Sequence, residues 1–212
     1  MKACQAGNQE YNQIAHAVRA AYDQIASDYA TVNADMPPDL IEAAARFARL
    51  LGPSQLVLDA GCGAGRDMVW LLGLGLAVVG ADCSAGMLSE ARRQGRLALM
   101  QMDMRSLGLR PDSFHGLWCC AALLHLAKQE VPAALLEMRR VLRPAGTLFL
   151  SVAEGATEAW DSCPYAKVKR YVARYGEEEI ASFLAQAGFS VLSICRIKSV
   201  TGKWLQIFAR RE

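Results

Sequence analysis

The stretch VLDAGCGAGRD, Val57 to Asp67, decides how the rest of the chain is read. It completes a short apolar run, Gln55–Ala60, and passes through a turn with glycine at alternate positions, Gly61, Gly63 and Gly65. The following residues, Arg66–Leu74, have helical character. A buried strand, a turn free of Cβ atoms and a helix in immediate succession form the first half of a strand–helix–strand unit. The alternation continues downstream. Leu76–Ala81 predicts a second buried strand, with Ser84 as N-cap of a helix to Arg93 and Gly95 just beyond its end. Leu97–Met102 and Phe114–Cys120 predict a third and a fourth strand. A helix over about Gln129–Leu142 lines up Val131, Leu135, Met138 and Leu142, and Thr147–Val152 is a fifth strand. Glu177–Ala187 predicts a last helix, before closing strands at Ser190–Ile197 and Trp204–Ala209. Continuous apolar strands separated by helices mean a largely parallel sheet covered on both faces, an α/β three-layer sandwich.

Upstream of this stretch the pattern is helical only. Ile14, Val18, Ala21, Ile25 and Tyr29 recur three or four apart, and Pro37-Pro38 interrupts the run. Asp39 is positioned to cap a second helix through Leu40, Ala44, Phe47 and Leu51, stopped by Gly52-Pro53. Residues 1–53 therefore read as a helical extension or lid and 54–212 as the core. The 212 residues are 53% hydrophobic and 21% charged, which excludes a disordered chain. A net charge of +2 gives no concentrated basic face for nucleic acid. The longest apolar stretch, Met68–Ala81, is short for a membrane span and is broken by Gly73, Gly75 and Gly80. Seven cysteines without metal-ligand spacing read as reduced thiols, with no metal site. The expectation is a soluble, cytoplasmic protein, monomeric or homodimeric.

Open α/β sheets bind ligands beyond the carboxyl ends of their strands. Asp59 stands at the first strand end beside the glycines, Asp82 at the second and Asp103, followed by Met104, at the third; Ala121, Ala122 and His125 follow the fourth. Three acids so spaced suit a ligand with a ribose diol and an adenine amino group. A dinucleotide fingerprint needs a third glycine where Arg66 stands. The carboxylate of Asp59 would also repel a pyrophosphate, whereas it suits an ammonium or a sulfonium.

These segments resemble the class I S-adenosylmethionine (SAM)-dependent methyltransferases. Val57–Asp67 is similar to that family's first motif and Val79–Asp82 to its acidic second strand end. Met102–Met104 resembles the adenine-contacting loop. Asp112–Leu126 resembles the fourth-strand segment, and Arg140–Val152 the helix–turn–strand that follows. Tyr22–Tyr29, YDQIASDY, resembles the N-terminal helix of small-molecule members, which closes over the cofactor. The resemblance implies a seven-stranded sheet with its last strand antiparallel, SAM as cofactor and S-adenosylhomocysteine as product. It implies that Gly61, Gly63 and Gly65 pass the methionine portion and that Asp59 orients the loop near the ammonium. Asp82 would accept the ribose hydroxyls and Asp103 the adenine amino group, with Met104 beside the ring. Cys62, Cys83, Met87 and Ala121 complete the implied cofactor contacts. Pro144-Ala145-Gly146 departs from the family's Pro-Gly-Gly, so the turn should force Ala145 to positive φ.

Other residues carry two readings each. His125 is a general base for the acceptor, or a packing or capping histidine. Tyr22 and Tyr29 share a helical face; they pack, or one reaches the SAM carboxylate. Cys62 and Cys83 read as small buried thiols rather than nucleophiles. Glu154, Glu158 and Trp160 follow the fifth strand and are expected in the substrate pocket. With them come Tyr165, Tyr171 and Tyr175 of the insert Glu154–Tyr175 and the basic run Lys167, Lys169, Arg170 and Arg174, an anion site or a solvated face. The activity implied is methyl transfer to O, N, S or C of a small molecule. The alternatives are a SAM-binding sensor or accessory protein without transferase activity, and a nicotinamide-dependent oxidoreductase, which Arg66 disfavours.

Overall fold

The computed structural model describes residues 2–163, 166–200 and 202–212, with side chains from Tyr11 onward. Two helices come first, α1 (Lys2–Val32) and α2 (Pro38–Leu51). Then β1 (Leu56–Ala60), α3 (Arg66–Gly73), β2 (Ala77–Asp82), α4 (Ala85–Arg93) and β3 (Ala98–Gln101) alternate. They are followed by β4 (Phe114–Cys120), α5 (Val131–Val141) and β5 (Leu142–Ala153). A hairpin of β6 (Glu158–Ser162) and β7 (Lys169–Ala173) precedes α6 (Glu177–Gln186), β8 (Phe189–Ser199) and β9 (Gly202–Arg211).

Seven strands form one sheet in the order β3-β2-β1-β4-β5-β9-β8. β1 pairs in parallel with β2 and β4, and only β9, the last strand, runs antiparallel to its neighbours β5 and β8. Strand alternation divides the core. Leu117, Leu148 and Leu150 face α5 and α6, while Trp118 and Phe149 face α2 and α3. The second face is held by stacking of Trp118 on Phe149 at 3.8 Å, with Phe47 edge-on to the indole. The Trp118 indole N–H, fully buried, donates to Asp67 at 2.8 Å, which removes the cost of burying it.

Two local expectations change. α2 begins at Pro38, whose missing N–H costs nothing in a first turn. Its N-cap is Pro37, with no side-chain cap; Asp39 instead accepts from Gln206 at 2.6 Å and ties α2 to β9. The insert after β5, read without strands, forms the two-stranded β6–β7 hairpin. Elsewhere the local chemistry acts as expected. Ser84 caps α4 by accepting from the Met87 N–H at 3.0 Å, and Ala145 takes φ of 61°.

The strand order reverses between β1 and β4, whose carboxyl ends diverge and open a crevice. α1 closes it from outside, packed on α4 and β7. Asp23 fixes that position by accepting from the Ser84 hydroxyl at 2.7 Å and the Gly86 N–H at 2.9 Å. Gly86 permits the approach, since a Cβ there would lie 2.9 Å from the Asp23 backbone.

Candidate cofactor and acceptor site

The crevice is a cavity of about 410 Å³. The β1 end contributes Ala60, Gly61 and Gly63, the β2 end Asp82 and Cys83, and the β4 end Ala121 and Ala122. Gln101, Met102, Asp103 and Met104 enter from β3, and Met87 from α4. α1 supplies Val18, Arg19, Tyr22 and Tyr29. A smaller adjoining cavity of about 50 Å³ holds Asp59, Cys62, Arg66 and Asn33, and shares Gly61, Gly63 and Tyr29 with the first. Asp59 and Cys62 thus stand around the smaller of two adjoining cavities, and the other cofactor candidates around the larger or both.

The glycine turn works by close approach and by backbone sign. Gly61, Gly63 and Gly65 have φ of 84°, 51° and 84°, a region costly for residues with a Cβ. A Cβ on Gly61 would lie 2.2 Å from that of Ala122, so the turn after β1 could not pass the β4 end. The Asp82 carboxylate fixes the far side of the turn: it accepts from the Gly63 N–H at 2.9 Å and from the Ser84 N–H at 2.8 Å. Each oxygen keeps a further lone pair for a ligand hydroxyl. Burial raises its pKa against those bonds.

Asp59 is buried, and one carboxylate oxygen, Oδ2, has no hydrogen-bond partner among the described residues. Burial, with Asp67 and Asp82 close by, pushes its carboxyl well above the usual range. A cation beside it would remove both costs, so the site fits the ammonium and sulfonium of SAM. Cys62 is buried and Cys83 half-buried, and burial pushes their thiols up, Cys83 to about 12. They contribute shape, not nucleophiles.

Asp103 lines the cavity just beyond β3, where Arg105 binds its carboxylate. Burial would raise its pKa, but Arg105 outweighs that with bonds from its backbone N–H at 2.9 Å and its guanidinium at 2.6 Å, and holds it low. Arg105 also pairs with Glu130 and donates to Asn12 of α1 at 3.3 Å. It therefore joins the β3 loop, the entry to α5 and α1. Sequence reading missed Arg105 because, besides neighbouring Asp103, its partners Glu130 and Asn12 lie 25 and 93 residues away.

His125 sits in the single turn Leu123–His125 after β4 and lines the cavity. Its Nδ1 lies 2.7 Å from the Tyr171 carbonyl, which can only accept, so Nδ1 carries the hydrogen and Nε2 accepts from the Tyr22 hydroxyl at 2.7 Å. Arg170 donates to the same Tyr22 oxygen at 3.1 Å. Burial first, then Arg170, lowers the His125 pKa to about 4. Arg170 thus leaves the solvated basic run it was read in. Tyr29 packs edge-on against Tyr22 at 5.7 Å.

Three expected pocket residues lie outside the cavity lining. Glu154 pairs with Arg196 at 2.9 Å, and Glu158 accepts from the Lys128 N–H at 3.0 Å. Trp160 packs on the outside of the hairpin, edge-on to Tyr171 at 5.6 Å and 41% exposed. Among the described residues none of the insert lines the cavity; β7 stands behind the lining, with the Tyr171 carbonyl on His125 and Arg170 on Tyr22. Tyr165 lies outside the described residues. Val18, Leu107 and Leu126 supply apolar lining to the cavity that His125 and Tyr22 also border.

A doubly wound sheet with a glycine turn and acids at successive strand ends defines a nucleotide-binding α/β domain. Comparison with known proteins narrows the class. Residues 57–146 match the model of the methyltransferase domain family. A protein of Encephalitozoon cuniculi that bears the name methyltransferase is 32% identical over 156 residues, 65% of this chain and 71% of that one. Demethylmenaquinone methyltransferase of Mycobacterium tuberculosis is 35% identical over 133 residues, 62% of this chain and 53% of that one. The chain thus spans about half the length of the mycobacterial relative. Among solved structures, the 1,6-didemethyltoxoflavin N1-methyltransferase of Burkholderia thailandensis, with 1,6-didemethyltoxoflavin and S-adenosylhomocysteine bound, superposes with a TM-score of 0.77. It is 24% identical, and the match covers 95% of this chain and 90% of that one. The chain belongs to the class I SAM-dependent methyltransferases.

Proposed function

We propose that the chain transfers the methyl group of SAM to a small, largely apolar acceptor seated under α1. The observation that carries this reading is the continuity of the cavity. It runs from Asp82 and Gly63 past Ala121 to the apolar wall of Val18, Leu107 and Leu126. SAM supplies an electrophilic methyl on a sulfonium, so the protein's task is to hold two partners in line and exclude water.

Each side chain has a part in that task. Asp59 meets the ammonium region, and its unpartnered oxygen supports the assignment. Asp82 accepts the ribose hydroxyls with the lone pairs its backbone bonds leave open. Gln101, Met102 and Met104 border the adenine, and Asp103, bound by Arg105, shapes that border with its remaining acceptor capacity. α1 acts as a cover over cofactor and acceptor, and residues 54–212 as the catalytic core. No helix among the described residues is long and apolar enough to cross a membrane, and the six described cysteines are unpaired, which supports work in the cytoplasm.

The test is transfer of tritium from methyl-labelled SAM into a small-molecule extract. Label in a compound that elutes with small metabolites is expected. Tight binding of SAM with no transfer to any extract component would return the chain to the sensor reading.

A further inference from the structure

One side of α1 meets the sheet turn by turn. Asn12 accepts from Arg105, the residue that binds Asp103, at 3.3 Å. His16 and Arg19 line the cavity. Asp23 accepts from the Ser84 hydroxyl and the Gly86 N–H where α4 begins. Residues three or four apart share one side of a helix, so Asn12, His16, Arg19 and Asp23 form a single row. The row begins at the Asp103 loop and ends beside the β2 end. Arg19, one turn before Asp23, therefore stands over the space between Asp82 and Asp103. The charges of the row act on both flanks of that space. Arg19 opposes the rise that burial gives the Cys83 thiol, and His16 helps to hold Asp103 low.

The residue before Arg19 turns the other way. Val18 packs in the apolar cluster that also holds Leu107 and Leu126. α1 thus sends Val18 to the acceptor side of the cavity and Arg19 to the nucleoside side. Asn12 and Asp23 are engaged by protein partners, whereas Arg19 is exposed at the rim and has no hydrogen bond or ion pair among the described residues. The lining contributed by the β2 and β3 ends includes Cys83, Gln101, Met102 and Met104, side chains that leave the guanidinium without a counter-ion.

We propose that Arg19 is the adenine-covering residue of this site, its guanidinium stacked on the ring, and that this contact ties the docking of α1 to the nucleoside half of the cofactor. The proposal rests on the cofactor placement given above, in which Asp82 takes the ribose and the Asp103 loop borders the adenine. A guanidinium is planar, weakly hydrated and able to stack on an aromatic face, whereas an ammonium is a strongly hydrated point charge. Adenine offers such a face to a group above it while its amino edge points to the Asp103 side. A rim arginine gives up little hydration in making the contact, because its outer N–H groups stay in water. The methionine half of the cofactor is then not needed to order α1. The nucleoside alone suffices.

The experiment uses the full chain and two probes, S-adenosylhomocysteine and 5′-methylthioadenosine, which lacks the amino-acid half. Arg19→Met keeps the length and apolar stem of the side chain but removes its plane and its charge. By calorimetry it should weaken both probes by the same factor, about 5- to 20-fold. Arg19→Lys restores the charge without the plane and should recover little of that loss. In hydrogen exchange, 5′-methylthioadenosine alone should raise protection over Asn12–Asp23 in the wild type and not in Arg19→Met. Affinities within two-fold of wild type in Arg19→Met, or full recovery in Arg19→Lys, would overturn the stacking contact and leave the cofactor site standing. So would a loss confined to S-adenosylhomocysteine, a wild type that binds it but not 5′-methylthioadenosine, or unchanged exchange in α1. A wild type that does not bind S-adenosylhomocysteine would remove both readings.

Discussion

Asp82 is the side chain on which two jobs meet: it holds the Gly63 turn in place and offers the ribose a charged acceptor. Its first job is visible in two backbone bonds of 2.9 and 2.8 Å. Asp82→Asn keeps one acceptor oxygen and should weaken S-adenosylhomocysteine less than Asp82→Ala. The alanine is expected to cost roughly 1.5–3 kcal/mol of binding, measured by calorimetry, because charged hydrogen bonds are lost and the turn loosens. Equal affinity in wild type and Asp82→Ala, with the fold intact by circular dichroism, would remove the assignment. His125 makes a prediction about stability instead. Its pKa is about 4 folded, against 6.5 in an unfolded chain. A depressed pKa contributes stability that is full above the unfolded value and is lost as pH falls from 6.5 toward 4, because the unfolded chain takes up the proton first. The loss should reach about 3 kcal/mol. Urea titrations at several pH values should show this slope in wild type and not in His125→Gln.

At the scale of elements, α1 is the piece whose attachment differs in kind from the rest. Its fastenings are side-chain bonds: Asp23 to Ser84 and Gly86, Tyr22 to His125, and Asn12 to Arg105. Strands such as β4 and β5 are bound by ladders across their length and bury both faces. Asp23→Ala should cost about 1–2 kcal/mol and raise hydrogen exchange in α1 while β4 and β5 keep their protection. Adding S-adenosylhomocysteine to the wild type should raise protection in α1; no change there, with clear protection at Gly61–Gly65, would make α1 a fixed wall. The irregular opening of β5, before Thr147, offers a separate check. Ala145 has φ of 61°, so Ala145→Gly relieves a left-handed alanine and should stabilise the fold by about 1 kcal/mol in thermal unfolding. The positive φ of Ala145 was legible from Pro144-Ala145-Gly146 alone, as was the Ser84 cap, because backbone and cap chemistry act within a few residues, although these residues lie inside β5 instead of in a turn before it. The β6–β7 hairpin was not legible. Its residues show neither clean alternation nor a turn dipeptide, and what orders it is contact with the β4 turn and α1.

Over the whole molecule, legibility follows the reach of the forces. The alternation of buried strands and helices, the antiparallel last strand and the crevice at the strand-order reversal all follow from local patterning and chain topology. The acids Asp59, Asp82 and Asp103 could be named in advance because topology alone carries them to one edge of the sheet. The acceptor side could not. Val18, Leu107 and Leu126 meet only after α1 folds back across the sheet, and Glu154, Glu158 and Trp160 were assigned to the pocket by proximity in sequence, whereas Glu154 pairs with Arg196 and the other two lie on β6, all outside the lining. The same long-range docking ties Arg105 to Glu130 and Tyr22 to His125. What unites these parts is one cofactor space running from the glycine turn to α1. The most direct test is calorimetric titration of the wild-type chain with S-adenosylhomocysteine and, separately, with NAD. Binding of one S-adenosylhomocysteine per chain in the micromolar range, on the order of −8 kcal/mol, with no heat from NAD, is the predicted result. Absence of S-adenosylhomocysteine binding, or NAD binding as tightly, would contradict it.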